Sequence, residues 1–432
     1  MSTDLKTYQT QSTTKQGSEY PKWLNNFARK TLVQVLSKMQ QGRLEIVTPD
    51  GGIYTFGKGQ NASGARITVR SDDFFSRCLF FADLGLAESY LDGLCEIESI
   101  REVISWFLLN VDGSTVLNES QAASRVLNLL GLINRSIHKK RENSVSNSKR
   151  NIEEHYDLGN DFFQSFLDPT MTYSSALFNE TGATLAQAQQ AKFARIAWQL
   201  RLSPGERLLE IGCGWGAFSI FAAKNFDCFV TAITISKEQF DHVSKLIAAE
   251  GLEKRIELKL IDYRKIEGSF DKIVSIEMIE AVGEEYIDVY IAKINSLLAR
   301  NGIAVLQMIT CPDSRYETLC QNVDFIQKHI FPGSLLPSLH RVSQAMIKCG
   351  EISLIDLFDM TDSYVETLSR WQQNFNKNWH QIENERRDAR FKRKWNYYFE
   401  YCQAAFDMRN VSVVQATFSR PNNIYLRRHS RT

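Results

Sequence analysis

Leu208 to Phe218 reads LLEIGCGWGAF, and the fold follows from how this stretch is read. The apolar run Leu208, Leu209 and Ile211 suits a strand covered on both faces. Gly212, Gly214 and Gly216 then supply turn conformations and leave no side chain between backbone and ligand. Glu210, at the strand's C-terminal end, can accept hydrogen bonds from an ammonium group or hydroxyls, and the following helix offers free amides to a carboxylate. Glycines at this spacing also occur in dinucleotide-binding folds, so alone they indicate either a nucleoside-type ligand or a structural turn.

Around this stretch the apolar pattern alternates between strand and helix. Strands are expected at 207–211, 228–233, 256–260, 272–276 and 302–308, with helices at 218–225, 237–250 and 286–298. That rhythm argues for an α/β, doubly wound, mainly parallel sheet whose ligands sit at the strand C-terminal ends. Beyond Ile309 it is interrupted by a mostly helical segment holding Tyr364, Trp371, Trp379 and the basic stretch Arg386 to Lys394, and it closes on a strand at 411–418. The insertion is read as a lid that shapes an acceptor pocket.

Toward the N-terminus, residues 1–18 are rich in Ser, Thr and Gln and read as a flexible leader without the apolar core of a signal peptide. Residues 19–135 read as a small α+β domain. It should hold an amphipathic helix at 20–39, a meander of strands at 43–47, 52–56 and 65–69, and helices at 72–81 and 86–91. Residues 136–151 are polar and basic, the composition of a linker, serving as a solvated hinge or as a strip facing anionic headgroups. The second domain is then 152–432, opening near His155, a packing residue before it is a base.

The 432 residues are 43% hydrophobic, enough for well-packed domains, and the formal charge of +1 leaves no global field toward nucleic acid or membrane. The eight cysteines show no CxxC pair, so no metal is expected and reduced thiols in a cytoplasmic protein are the expectation. No apolar run approaches the roughly 20 residues of a membrane span. Contact with lipid would therefore be peripheral, on the inner membrane surface. Within the lid, Arg386, Arg387, Arg390, Lys392, Arg393 and Lys394, beside Phe391 and Trp395, read either as a docking strip for anionic lipid or as a solvated face neutralised by Glu383, Glu385 and Asp388.

Taken in order, YDLGNDFF, LDPTMTYSS, EIGCGWG, TISKEQ, IEMIEAVG and DFIQKHIFPG resemble the cyclopropane-fatty-acyl-phospholipid synthase family of S-adenosylmethionine-dependent fatty acid methyltransferases, over nearly the whole chain. The resemblance implies a Rossmann-like methyltransferase core with S-adenosylmethionine held by Glu210, Gly212, Gly214 and Gly216. Thr234, Ser236 and Gln239 match a Thr-x-Ser-x-x-Gln motif that replaces the usual ribose-binding carboxylate. Tyr173 and Ser174 would close over the methionine end, and Asp262, Tyr263 and Arg264 would flank the adenine. Thr234 and Gln239 also read as a helix cap and its first turn.

By the same resemblance the acceptor is the cis double bond of an unsaturated phospholipid acyl chain at the membrane surface. Methyl transfer to an alkene creates a carbocation, which needs a base to take a proton from the new methyl group and close a cyclopropane ring. The family is understood to hold bicarbonate as that base, gripped by a Glu, a His, a Tyr and backbone amides near a Cys and an Ile. The counterparts here are Glu280, Gln307 in place of His, Tyr364, Ser175 in place of Cys, and Ile309. A further family cysteine matches Cys402, which also reads as a buried structural thiol. A homodimer and the absence of nucleic acid complete the expected partners. Competing readings are a C-methyltransferase giving a methylene or methyl branch, an N-methyltransferase of a small amine, and a non-enzymatic lipid-binding protein.

Overall fold

In the computed structural model, residues 18–59, 65–111 and 158–429 are described. The 136–151 linker, the expected domain boundaries within 112–157 and His155 lie outside them.

The larger sheet contains β5 (Arg207–Ile211), β6 (Phe229–Thr234), β7 (Ile256–Leu260), β8 (Phe270–Ile276), β9 (Leu298–Thr310), β10 (Ser353–Asp359) and β11 (Ser412–Ser419). Their order is β10-β11-β9-β8-β5-β6-β7. β5 through β9 pair in parallel, and β11 and β10 add antiparallel strands at one edge. The period of two along each strand divides the apolar residues between two cores. Leu208, Val230, Val274 and Val305 pack under one layer of helices, while Leu209, Ile211, Ile273 and Leu306 pack under the other. Chain order reverses between β5 and β8, so the carboxyl end of β5 opens a crevice where ligands bind in such sheets.

The doubly wound core is as expected, but β10 was not anticipated. Nearly all its side chains are exposed, because it forms the sheet's outer edge, and it therefore lacks the alternation that marks a half-buried strand. Between β10 and β11 lie the lid helices Thr361–Ile382 and Ala389–Asp407, which pack against each other.

The smaller sheet, ordered β2-β1-β3-β4, contains β1 (Leu44–Val47), β2 (Ile53–Phe56), β3 (Arg66–Val69) and β4 (Cys95–Ile97). The expected meander is corrected in two ways: β1 and β3 run parallel, and β4 adds a fourth strand. The two expected helices at 72–91 are one element, Asp73–Leu91, broken by Ala82 at φ 48° and ψ −119°.

Two cations of the lid's basic stretch, Arg390 and Arg393, contact this smaller unit. Arg393 donates to the Tyr90 and Cys95 carbonyls at 2.6 and 2.8 Å and to Glu96 at 2.9 Å, with its guanidinium 4.0 Å from the Tyr90 ring centre. Arg390 meets Asp92 at 2.9 Å, Arg387 meets Asp161 at 2.5 Å, and Trp395 is buried. Arg387, Arg390 and Arg393 are thus ion-paired within the protein, while Arg386 is exposed. Asp92 and Glu96 of the smaller unit hold Arg390 and Arg393, while Asp161 of the larger unit holds Arg387.

Candidate active site

At the carboxyl end of β5 the glycine turn has the conformations its sequence suggests. Gly212, Gly214 and Gly216 have φ of 78°, 53° and 86°, a region that favours glycine. A Cβ on Gly212 would press on Met278 and one on Gly216 on Val243, each at 2.9 Å, whereas a Cβ on Gly214 meets nothing within 4 Å. Two glycines thus permit close packing, and the third faces a cavity of about 390 Å³. That lies within the roughly 300–1,000 Å³ of small-molecule sites. Its walls include Glu210, Gly214, Thr234, Gln239, Asp262, Tyr263, Arg264, Tyr173 and Ser174.

Glu210 is buried and accepts a hydrogen bond from Ser219 of the following helix; burial pushes its carboxyl up to about 8. Such a group gains from a cationic ligand. Thr234 donates to Gln239 Oε1 at 2.8 Å, which leaves the NH2 end of the Gln239 amide for a ligand hydroxyl. Ser236 caps helix Lys237–Ala249 through the Gln239 amide and does not line the cavity, so its expected cofactor contact is replaced by a structural one. Asp262 is gripped by Arg264 at 2.6 and 2.8 Å. Burial disfavours the Asp262 charge, but the Arg264 side-chain and backbone bonds win and hold it below the usual carboxylate range.

The segment Thr172 to Phe178 lies along the lid helix Thr361–Ile382, with Ala176 N donating to Thr367 Oγ1 at 3.1 Å and Phe178 N to Ser363 Oγ at 3.0 Å. This places Tyr173 against Trp371 and Tyr398, and Ser174 over Lys192. Lys192 is fully buried, donates to Ser174 Oγ at 2.7 Å, and is pushed down to about 7 by burial against the pull of Glu277, Asp168 and Glu210. Nothing in QQAKFARIAWQL distinguishes it from a surface lysine on an amphipathic helix.

Ser175, Gln307 and Tyr364 are brought together, but around a residue the sequence reading passed over. Ser175 N donates to Glu277 Oε1 at 2.8 Å, Gln307 Nε2 to the same oxygen at 2.7 Å, and Tyr364 Oη to Glu277 Oε2 at 2.8 Å. Ile309 N donates to Glu280 Oε1, while Glu280 Oε2 is buried without a partner. Glu277 follows β8 directly and sits at φ 49°, a conformation that costs a non-glycine residue about 1–3 kcal/mol. Its signal in the sequence is a carboxylate ending an apolar strand, three residues before the recognised Glu280. The amides and side chains expected to grip bicarbonate are thus already bonded to Glu277 and Glu280, and these residues do not fit that ion.

Burial raises Glu277 against the opposing effect of its donors, and raises Glu280 to about 8 with help from the Glu277 charge. Tyr364 is held well above its ordinary range by burial and the Glu277 carboxylate, so it stays a donor. Cys402 lines the same cavity, but burial pushes its thiol far up, which leaves it as an apolar wall and not a nucleophile. The remaining wall is apolar, with Phe331, Leu335, Leu336, Leu368 and Phe406.

Comparison with known proteins agrees with this geometry. The family model described as Mycolic acid cyclopropane synthetase matches residues 143–416. The chain is 36% identical over 362 residues to the cyclopropane-fatty-acyl-phospholipid synthase of Escherichia coli K12, covering 82% of this chain and 88% of that one. It is 33% identical over 345 residues to the tuberculostearic acid methyltransferase of Mycobacterium tuberculosis, covering 78% and 79%. Among solved structures, mycolic acid cyclopropane synthase CmaA1 complexed with SAH and CTAB superposes with a TM-score of 0.58 at 31% identity, over 63% of this chain and 98% of that one. A glycine turn that opens onto a buried carboxylate, the parallel sheet that carries it and these similarities agree: the chain belongs to the mycolic acid cyclopropane synthetase family and is an S-adenosylmethionine-dependent methyltransferase.

Proposed function

We propose that this enzyme converts the cis double bond of an unsaturated phospholipid acyl chain into a cyclopropane. The observation that carries this reading is one cavity that joins the wall at Glu210, Gly214 and Gln239 to an apolar wall of Phe331, Leu335, Leu336, Leu368 and Phe406, with buried carboxylates in the same enclosure. S-adenosylmethionine, when bound, supplies an electrophilic methyl group.

The chain's own residues do the rest. Glu210 offers a carboxylate to the ammonium end, Gly214 leaves the space, and Gln239 offers an amide to the ribose hydroxyls. Lys192 and Tyr398 fix Ser174 and Tyr173 at the cavity wall. Phe331, Leu335 and Phe406 keep water from a cationic intermediate that water would quench, and the aromatic faces of Tyr173 and Phe331 favour positive charge.

No helix among the described residues is long and apolar enough to cross a membrane. Helix Lys22–Leu36 presents Trp23 and Phe27, 70% and 58% exposed, one turn apart. With Lys22 and Lys30 also exposed beside them, this face has the chemistry of a peripheral contact with the anionic bilayer that contains the substrate.

The test is incubation of the enzyme with labelled S-adenosylmethionine and monounsaturated phospholipid vesicles, followed by mass spectrometry of the acyl chains. A labelled ring is expected. A labelled branch, or label only in small amines, would replace this reading.

A further inference from the structure

Glu277 holds a position for which nothing in the fold asks. Its backbone sits at φ 49°, where glycine would be at ease, and its half-buried side chain lies at the wall of the cavity. Three donors from distant segments converge on its two oxygens: the Ser175 amide, the Gln307 amide group and the Tyr364 hydroxyl. Gln307 is itself oriented, because Gln415 Nε2 donates to its Oε1 at 3.0 Å and so turns its NH2 end toward Glu277. Donors arranged this way stabilise a charged carboxylate in a dry site.

We propose that Glu277 is the base of the reaction, a carboxylate built into the chain that takes the place of a free bicarbonate ion. This rests on the cyclopropane reading above. Once the methyl group has joined one alkene carbon, the other carbon carries the positive charge. Glu277 takes a proton from that methyl group. An O–H bond forms as the C–H bond breaks, and the freed electron pair makes the C–C bond that closes the ring. Glu277 is left as a carboxylic acid and gives its proton to solvent after product release, so one proton is released per turnover.

The neighbouring Glu280 is less suited to this task. It receives one backbone bond, from Ile309, and its second oxygen has no partner. Two carboxyls this close do not both ionise readily, and the donor count assigns the charge to Glu277 and the proton to Glu280.

The experiment uses full-length enzyme, labelled S-adenosylmethionine and lipid vesicles in buffer stripped of carbon dioxide. Wild-type turnover is expected to be the same with and without added bicarbonate. Glu277→Gln should keep cofactor binding by calorimetry and lose about 10²–10⁴-fold in turnover. Glu277→Gly relieves the backbone and empties the space, so it should fold, be inactive in stripped buffer, and regain turnover with bicarbonate or formate. Carbon-13 NMR should show labelled bicarbonate binding to Glu277→Gly and not to wild type. Wild-type turnover that collapses on stripping and returns with bicarbonate, bicarbonate binding by the wild type, or near-normal turnover of Glu277→Gln would overturn the assignment. Failure of the wild type to label any lipid would instead count against the cyclopropane reading, and the NMR comparison would still decide whether Glu277 fills the anion's place.

Discussion

Lys192 donates to Ser174 Oγ at 2.7 Å from a fully buried position, so the Ser174 side of the cavity is held by an amine that has no access to water. A lysine in that state is costly, and the protein retains it beside Glu210 and Glu277. Lys192→Met should leave the ligand-free protein as stable or more so, since a buried charge is replaced by an apolar chain of similar length. Losing a charge-assisted hydrogen bond of about 1.5 kcal/mol should weaken cofactor binding about 10-fold. Thermal melting and calorimetry on one sample check both. A variant with unchanged affinity would show that Ser174 needs no such support.

The glycines of the turn should separate binding from folding. Gly214→Val places its side chain in open cavity and should abolish cofactor binding; its backbone strain at φ 53° should cost about 1–3 kcal/mol, without the clash that a side chain at Gly216 adds. Gly216→Ala drives a Cβ against Val243, at a φ that L-residues avoid, and should cost about 1–3 kcal/mol of stability. Calorimetry and denaturant unfolding of the two variants test the contrast, and equal affinity in a folded Gly214→Val would show the turn to be structural only.

Glu280 gives a pH signature of its own. Its carboxyl is pushed from the ordinary 4.5 to about 8, so the folded protein keeps a proton that the unfolded chain releases. The stability gained this way is complete below the unfolded value and is lost as pH rises through the folded one. Melting temperature of the ligand-free enzyme should therefore fall as pH rises from about 4.5 to about 8, partly from Glu280 and partly from Glu210, which shifts the same way. Glu280→Gln, which copies the protonated acid, should flatten that slope and keep cofactor binding. An unchanged slope would mean that Glu280 titrates normally.

Arg393 and the aromatic face of the first helix should divide their effects between assembly and lipid. Arg393→Ser removes bonds to two carbonyls and to Glu96 and should loosen the contact between the two units by about 1.5–3 kcal/mol, seen as easier proteolysis of the smaller unit. Its effect on vesicle binding should be small. Trp23→Ser with Phe27→Ser should leave unfolding unchanged and reduce sedimentation with anionic vesicles, because both side chains are already exposed. The reverse pattern would return lipid docking to the basic stretch.

Much of the architecture was legible in the chain because its causes are local. Glycine spacing, the doubled apolar strands and the strand-helix rhythm placed β5 to β9 within a few residues of where they lie. Local signals failed where an element's environment is set from outside. β10 is exposed on both faces and shows no period, and β3 pairs in parallel with β1 rather than antiparallel with β2, a choice no local pattern records.

The sequence by itself determined that a buried strand, β5, runs into a glycine turn beside Glu210, because strand burial and turn conformation leave local marks in the residues, and it offered a nucleoside-type ligand or a structural turn there. Only the tertiary structure decided which carboxylate occupies the reacting centre. The Ser175 and Tyr364 donors lie 102 and 87 residues from Glu277 in the chain, and no local pattern records which of two nearby glutamates they will meet. The same holds for Lys192 and Arg393. A charged side chain looks alike in sequence whether it faces water or is buried against a partner, and packing alone makes that choice.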